Sequence, residues 1–365
     1  MIKQKTKNIK ACLISDIHDI TSYSKKFINV RSDAEIVFLA GDISDTLDYQ
    51  QWANAYYLGT IGEDFSNEEY SRLLKKSCLQ GIANFLYRGL PTIFPKAKVI
   101  VAIRGNHDEF TWNEVNEYRP KDSADMPKID YHLLSGTGFL SIPKYNLFLA
   151  YSDGITYTYE WFSSNPLKCV SQRLKSEELF QYDMSVALKD YMEDIAINIA
   201  DIVLTHVPPY GTKWKTVLNK DIGSKALRFL SEDDLAEARY FLFGHMHLNS
   251  SKPQDRVEYN INSRGVFQQF INGAAMKDRE YRKFTNYGTE FTISKPLSKK
   301  AYKEWIQKYI MLEEFKKRVE LTATKEDKKV LLPMLKDVLY KAPLIKDFDK
   351  YIKENYPNII IKEER

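Results

Sequence analysis

The sequence predicts an α/β fold whose functional residues gather at the carboxyl ends of buried strands. Short apolar, β-branched runs feed straight into polar clusters, helical periodicity fills the intervals, and five of the six histidines lie in those clusters. Ala11-Cys12-Leu13-Ile14-Ser15 precedes Asp16-Ile17-His18, and Ile36-Val37-Phe38-Leu39-Ala40 precedes Gly41-Asp42. Val99-Ile100-Val101-Ala102-Ile103 leads to Gly105-Asn106-His107-Asp108. Ile202-Val203-Leu204 leads to Thr205-His206, and Tyr240-Phe241-Leu242-Phe243 to Gly244-His245-Met246-His247. Continuous apolar runs suit strands buried on both faces, and ligands of such sheets collect beyond the strands' carboxyl ends. Blocks far apart in sequence are thereby expected to converge.

Between the strands, residues 67–87 and 176–199 carry apolar positions at spacings of three and four, which predicts helices, with Ser66 and Ser176 as N-caps. Residues 136–150 alternate around Pro143-Lys144-Tyr145-Asn146 and read as a β-hairpin, and 267–275 and 289–293 as closing strands. From Pro296 the pattern is helical, rich in Lys and broken at Pro333, Pro343 and Pro357. No internal repeat is present. This organisation predicts a catalytic domain over 1–294 and a basic helical C-terminal extension over 295–365. Residues 109–130, with Phe110, Trp112, Tyr118 and Arg119, follow the Asn-His-Asp block directly and are read as a specificity loop or an ordinary packed one.

With 44% hydrophobic, 28% charged and 13% aromatic residues, the composition is that of a soluble globular protein rather than a disordered one. The basic start runs into Asp16 after a short apolar stretch, so it does not resemble a secretion signal, and no stretch is long enough to span a bilayer. A cytoplasmic protein without membrane contact is expected. Cys12, Cys78 and Cys169 match neither a paired disulfide framework nor a zinc knuckle. The net charge of +4 is uneven: residues 295–365 hold 18 Lys+Arg against 12 Asp+Glu, leaving 35 against 37 in the rest.

Clustered imidazole and carboxylate point to metal chemistry, since they are the commonest nitrogen and oxygen ligands. Phosphate-ester hydrolysis needs an oxygen nucleophile, neutralisation of charge on the phosphoryl oxygens, and a proton for the leaving group. Two divalent ions about 3.5 to 4 Å apart supply the first two. Asp42 is the natural bridging carboxylate, Asp16 and His18 can close on one ion, and Asn106 offers a neutral oxygen. Two carboxylates, two divalent ions and a bridging hydroxide leave the site near +1, which favours an anionic ester. His107 is the motif histidine left off the metals, as general acid, with Asp108 beside it to hold its tautomer.

The ordered set Asp16-x-His18, Gly41-Asp42, Gly105-Asn106-His107-Asp108, His206 and Gly244-His245-x-His247 resembles the calcineurin-like metallophosphoesterase superfamily, over roughly residues 8–293. The resemblance implies a four-layer α-β-β-α sandwich of two mixed β-sheets flanked by helices. It places one ion on Asp16, His18, Asp42 and His247 and the other on Asp42, Asn106, His206 and His245, with His107 as the catalytic histidine. The ions implied are divalent, Mn²⁺ first, with Fe, Zn or Ni as alternatives. The stretch Gly41-Asp42-Ile43-Ser44-Asp45-Thr46 lacks the arginine, and Gly105-Asn106-His107-Asp108 the following glutamate, of the serine/threonine protein phosphatase branch. His206-Val207-Pro208-Pro209-Tyr210-Gly211-Thr212 with Gly223-Ser224-Lys225-Ala226-Leu227-Arg228 is similar to Icc-related and class III cyclic-nucleotide phosphodiesterases. A phosphodiesterase using a metal-bridging hydroxide is therefore the expected function. The alternatives are a nuclease drawing on the basic tail and a non-catalytic scaffold of the same fold.

Outside the blocks, His132 is read as structural and Asp45 as the N-cap of a helix near Leu47. Lys225 and Arg228 are read as solvated or as reaching a substrate phosphate. In the tail, Lys299-Lys300, Lys316-Lys317-Arg318 and Lys328-Lys329 alternate with acids such as Glu313-Glu314, so an exposed helical face is favoured over a nucleic-acid surface.

Overall fold

The computed structural model describes residues 8–44, 67–121, 128–153, 181–186, 200–214, 223–233, 235–247, 252–263, 266–275, 284, 286–294 and 325. Lys10–Phe291 forms one compact unit, and Met1–Ile9 with Thr292–Arg365 another. The expected caps Ser66, Ser176 and Asp45, most of the 176–199 helix and nearly all of the 295–365 extension lie outside the described residues.

Two mixed sheets form the frame. The first contains β1 (Ile9–Ile14), β2 (Ile36–Ala40), β3 (Val99–Ile103), β4 (Asp130–Leu133) and β11 (Thr289–Ile293), in the order β11-β1-β2-β3-β4. The second contains β5 (Thr137–Ile142), β6 (Leu147–Ser152), β7 (Ile202–Thr205), β8 (Tyr240–Phe243), β9 (Val257–Ile261) and β10 (Phe267–Asn272), in the order β5-β6-β7-β8-β10-β9. β1-β2-β3-β4 are parallel neighbours, as are β6-β7-β8-β10, while β5 and β9 close the second sheet antiparallel. Every residue of β2, β3, β7 and β8 is buried, as their nearly unbroken apolar runs require, and so is every residue of β10 despite Gln268, Gln269 and Asn272. Tyr240 of the second sheet packs on Phe291 of β11, which also meets Phe38 of β2, so the sheets lie face to face.

Helices cover the outer faces. On the first sheet, α1 (Ile20–Phe27) is capped by Asp19, whose carboxylate accepts from Ser22 N, and buries Ile20, Tyr23 and Phe27. The long helix α2 (Asn67–Asn84) continues through a wider turn at Phe85–Gly89 into Leu90–Ile93. Both pack on the outer side chains of β1 to β3, among them Cys12, Ile14, Val37, Leu39, Ile100 and Ala102. On the second sheet α4 (Lys225–Glu232), capped by Ser224 Oγ accepting from Leu227 N, lays Ala226, Leu227 and Leu230 against Val203, Phe241 and Phe270. This is the α-β-β-α sandwich. The 136–150 hairpin forms as read, with Asn146 at φ 50° in its turn.

The first part of the segment after the Asn-His-Asp block is packed against the first sheet. Thr111 and Glu114 make a capping box that starts α3 (Trp112–Asn116), and Phe110 and Trp112 are buried in the first sheet's outer core. Trp112 Nε1 donates to Leu134 O at 2.7 Å, and the Arg119 guanidinium lies 4.6 Å over the Tyr87 ring. The aromatics that suggested a specificity loop are thus committed to packing; residues 122–127 lie outside the described residues. Among the described residues, no helix is long and apolar enough to cross a membrane.

Candidate metal centre

Five strand ends meet where the two sheets join. The join is made by the chain leaving β10: Ser15 N donates to Gly273 O at 3.0 Å, Ala275 N donates to Ser15 O at 2.6 Å, and Gly273 N donates to Phe243 O at 2.8 Å. The ends of β1 and β8 are thereby brought together. Asp16, Ile17 and His18 are fixed by their N–H groups, which donate to Gly41 O and Asp42 O, while Gly244 N donates to His206 O. Asp16, His18, Asp42 and His245 take positive φ angles of 55°, 54°, 49° and 63°. Side chains at such positions leave the strand direction abruptly, at a cost of roughly 1 kcal/mol or more each.

Each of the two carboxylates divides its oxygens between backbone and site. Asp16 Oδ2 accepts from His245 N and Asp42 Oδ1 from His107 N, both at 2.9 Å. The second oxygens face imidazoles. Asp42 Oδ2 is 3.2 Å from His206 Nε2 and 3.8 Å from His18 Nε2, and Asp16 Oδ1 is 3.3 Å from His247 Nε2. His18 Nε2 and His247 Nε2 stand 3.3 Å apart, and Asn106 Oδ1 lies 2.9 Å from His206 Nε2 and 3.1 Å from His245 Nδ1. Two groups of converging donors result, Asp16-His18-His247 and Asp42-His206-His245. Asn106 completes the second, and Asp42 stands between them.

The donor chemistry fits divalent cations. Ala40 O, which can only accept, lies 2.7 Å from His206 Nδ1, so Nδ1 carries a proton and Nε2 is the nitrogen turned to the site. Nε2 meets the oxygens of Asn106 and Asp42, which it satisfies by donating as an imidazolium in the protein alone or, once that proton is lost, by sharing a cation with them. Asp16 Oδ1, likewise, is buried without a hydrogen bond. The protein's own charges tell the same story. Burial opposes the His206 imidazolium, yet the Asp42 carboxylate overcomes it and raises the pKa to about 9. For His245, burial and then the charge of His206 lower the value to about 3. Asp16 is lowered to about 2, burial being outweighed by His247, and Asp42 is held far below the usual carboxylate range, mainly by His206 against its burial.

Exposure runs in one direction across the site. His206 is fully buried and Asp42 nearly so, whereas the His247 side chain is 61% exposed and His18 and His107 partly so. The Asp16-His18-His247 side is the open one. His107 stands there with its ring edge-on to His18, centroids 4.9 Å apart. The described bonds of Asp108 serve the loops: its carboxylate accepts from Ile43 N, Ser44 N and Gly105 N at 3.0, 3.0 and 2.9 Å. Burial and the nearby Asp42 charge raise its pKa to about 6, against those hydrogen bonds.

The remaining predicted residues stand apart. His132 is on β4, bonded to Asp130 at 3.1 Å. Arg228 faces Asn260 and Glu232, and Lys225 Nζ lies 5.4 Å from the Tyr210 ring centroid. Two supporting residues escaped sequence reading. Ser15 Oγ is within 3.1 Å of both Ala40 O and Gly41 O. Arg104 ties the loop after β3 to the end of β6 by donating from Nε to Asp153 Oδ2 at 3.0 Å, and braces that loop internally by donating from Nη1 to Phe110 O at 2.7 Å. Each abuts a motif, which is the only signal the sequence carries for them.

A family model described as calcineurin-like phosphoesterase matches residues 9–249. No curated protein matches the chain. Among solved structures, a dimetal phosphatase from Danio rerio is similar at 11% identity and a TM-score of 0.39, covering 78% of this chain and 98% of its own. The protein TT1561 of Thermus thermophilus is similar at 12% identity and a TM-score of 0.37, covering 79% and 99%.

Proposed function

Because the chain belongs to the calcineurin-like phosphoesterase family, we propose that it is a two-metal phosphodiesterase, with manganese as its working ion and His107 as general acid. The observation that carries this reading is the pair of donor groups meeting at Asp42, with His107 on their open side. Asp16, His18, Asp42 and His247 would hold one ion, and Asp42, Asn106, His206 and His245 the other. Such a pair acidifies a shared water and neutralises charge on phosphoryl oxygens.

The chain's own residues do the rest. Asp42, with Oδ1 bound to His107 N and Oδ2 facing both groups, fixes the spacing between the sites and the place of the general acid together. Asp108, buried and bonded to three backbone N–H groups, holds the loops that carry Asp42 and Asn106, and next to His107 in the chain it would also hold that ring's tautomer. An imidazole at His107 suits the leaving alkoxide of a diester, which needs a proton to depart. The similarity of the 206–212 segment to cyclic-nucleotide phosphodiesterases supports diesters over monoesters.

The test compares bis-(p-nitrophenyl) phosphate with p-nitrophenyl phosphate in the presence of Mn²⁺. His107→Ala should lower kcat by about 10² to 10⁴-fold on a diester with an alkoxide leaving group, such as a cyclic nucleotide, while Mn²⁺ content stays unchanged. An unaltered rate rejects the acid, and a faster monoester reaction rejects the diester.

A further inference from the structure

Asn272, fully buried at the end of β10, is a residue that neither motif reasoning nor the ligand set includes. Its backbone pairs with Phe243, the last residue of β8, and its side chain is used at both ends. The amide Nδ2 donates to Met246 O at 2.8 Å, which is the carbonyl of the peptide leading into His247. The amide Oδ1 accepts from Ala274 N at 2.9 Å, shaping the turn that carries Gly273 and Ala275 onto Ser15, the residue before Asp16. Asn272 O also accepts from Thr289 Oγ1, and Arg256 donates to that hydroxyl and to Ala274 O, so the turn is supported from below as well.

Resting on the two-metal reading above, we propose that Asn272 is the positioning residue of the outer metal position, the one formed by Asp16, His18 and His247. The two ends of one amide set the two loops that must close on that ion. His247 has most need of such help, because its side chain is largely in solvent and would otherwise explore several rotamers. The inner position depends on it less. His206 is fully buried and tethered to Ala40 O, and His245 is held through its own N–H on Asp16. An asparagine suits the place because it alone offers a donor and an acceptor at this length; aspartate keeps the acceptor for Ala274 N but turns an oxygen toward Met246 O.

The experiment titrates Mn²⁺ into the metal-free full-length protein and its Asn272→Asp and Asn272→Ala variants. Calorimetry counts the ions, and electron paramagnetic resonance detects the signal of a coupled Mn²⁺ pair. In both variants one ion should bind as in the parent while the other binds about 10 to 100-fold more weakly, as is usual when a ligand loses its supporting hydrogen bond. The coupled-pair signal should disappear at Mn²⁺ concentrations that saturate the parent. Both variants should still fold, with a lowered Tm. Two ions held at parental affinity, equal loss of both, or failure of both variants to fold would overturn the assignment and leave Asn272 a purely structural residue. A parent protein that takes up no Mn²⁺ would instead sink the two-metal reading itself.

Discussion

Replacing Asp42 with asparagine tests the electrostatics of the centre apart from any turnover. The amide is isosteric and its oxygen can still accept from His107 N, so the loop stays connected; what goes is the negative charge 3.2 Å from His206 Nε2. In the protein alone that charge lifts His206 from the usual 6.5 to about 9. The rise corresponds to about 3 kcal/mol of folding free energy, since both groups are buried and little screened. Part is returned through Asp108, whose raised pKa owes something to Asp42 but more to burial, leaving about 2 kcal/mol. The sign sets the window. A raised histidine pKa stabilises fully below 6.5 and the benefit is lost as pH rises through about 9; the lowered Asp42 pKa stabilises above 3.8 and loses its effect as pH falls. Metal-free parent and Asp42→Asn should therefore differ most between about pH 5 and 7, and converge near pH 10. Urea unfolding followed by circular dichroism in the presence of a chelator measures this. Equal midpoints at pH 7, or a gap that persists unchanged at pH 10, would refute the reasoning.

Other consequences follow from the same geometry. Because His206 carries a proton at neutral pH in the protein alone, Mn²⁺ must displace it, and calorimetry at pH 7.5 in buffers of different ionisation enthalpy should count close to one proton released per inner ion; a count of zero would show that His206 was never charged. A Cβ on Gly105 would stand 2.8 Å from Asp42 Cγ and closer still to its backbone N, so Gly105→Ala should cost about 1–3 kcal/mol in thermal unfolding and weaken both ions, Asp42 being shared; parental Mn²⁺ uptake would contradict the bridging role.

The strands that build the site were legible because burial on both faces leaves no room for polar residues within them. β2, β3, β7 and β8 are apolar at nearly every position in sequence and buried at every position in space. β4 and β9 carry no such signature, since they lie at sheet edges and are half-buried along most of their length. The eight-residue α1 was hidden because only Ile20, Tyr23 and Phe27 face inward among Thr, Ser and Lys. After the Asn-His-Asp block, Phe110 and Trp112 drew attention as aromatics, but Thr111 and Glu114 spelled a capping box that would have turned them toward the core. The convergence of the histidine blocks could be read from their strand context. Pairings such as Arg104 with Asp153 could not, because they depend on how two sheets meet rather than on local pattern.

What the sequence conceals most fully is how much of the centre is built by the backbone. Among the described residues, five that are not glycine have positive φ, and four of them, Asp16, His18, Asp42 and His245, are proposed ligands; the fifth, Asn146, closes a hairpin. Aspartate and histidine are among the side chains that tolerate this region, so nothing in composition flags the strain. Its consequence is energetic. Four such residues together cost the fold several kcal/mol, by roughly 1–3 kcal/mol each, and the surrounding N–H groups that donate to Gly41 O, Asp42 O and His206 O hold them there regardless. A flexible site would have to spend ion-binding energy on ordering its ligands. Here the ordering is done in folding, by strand ends that also leave Asp16 Oδ1 and Asp42 Oδ2 turned away from the backbone donors that hold their partner oxygens. Affinity for the proposed ions would then be governed by charge and ligand spacing rather than by loop entropy, except at His247, the one proposed ligand whose side chain lies mostly in solvent.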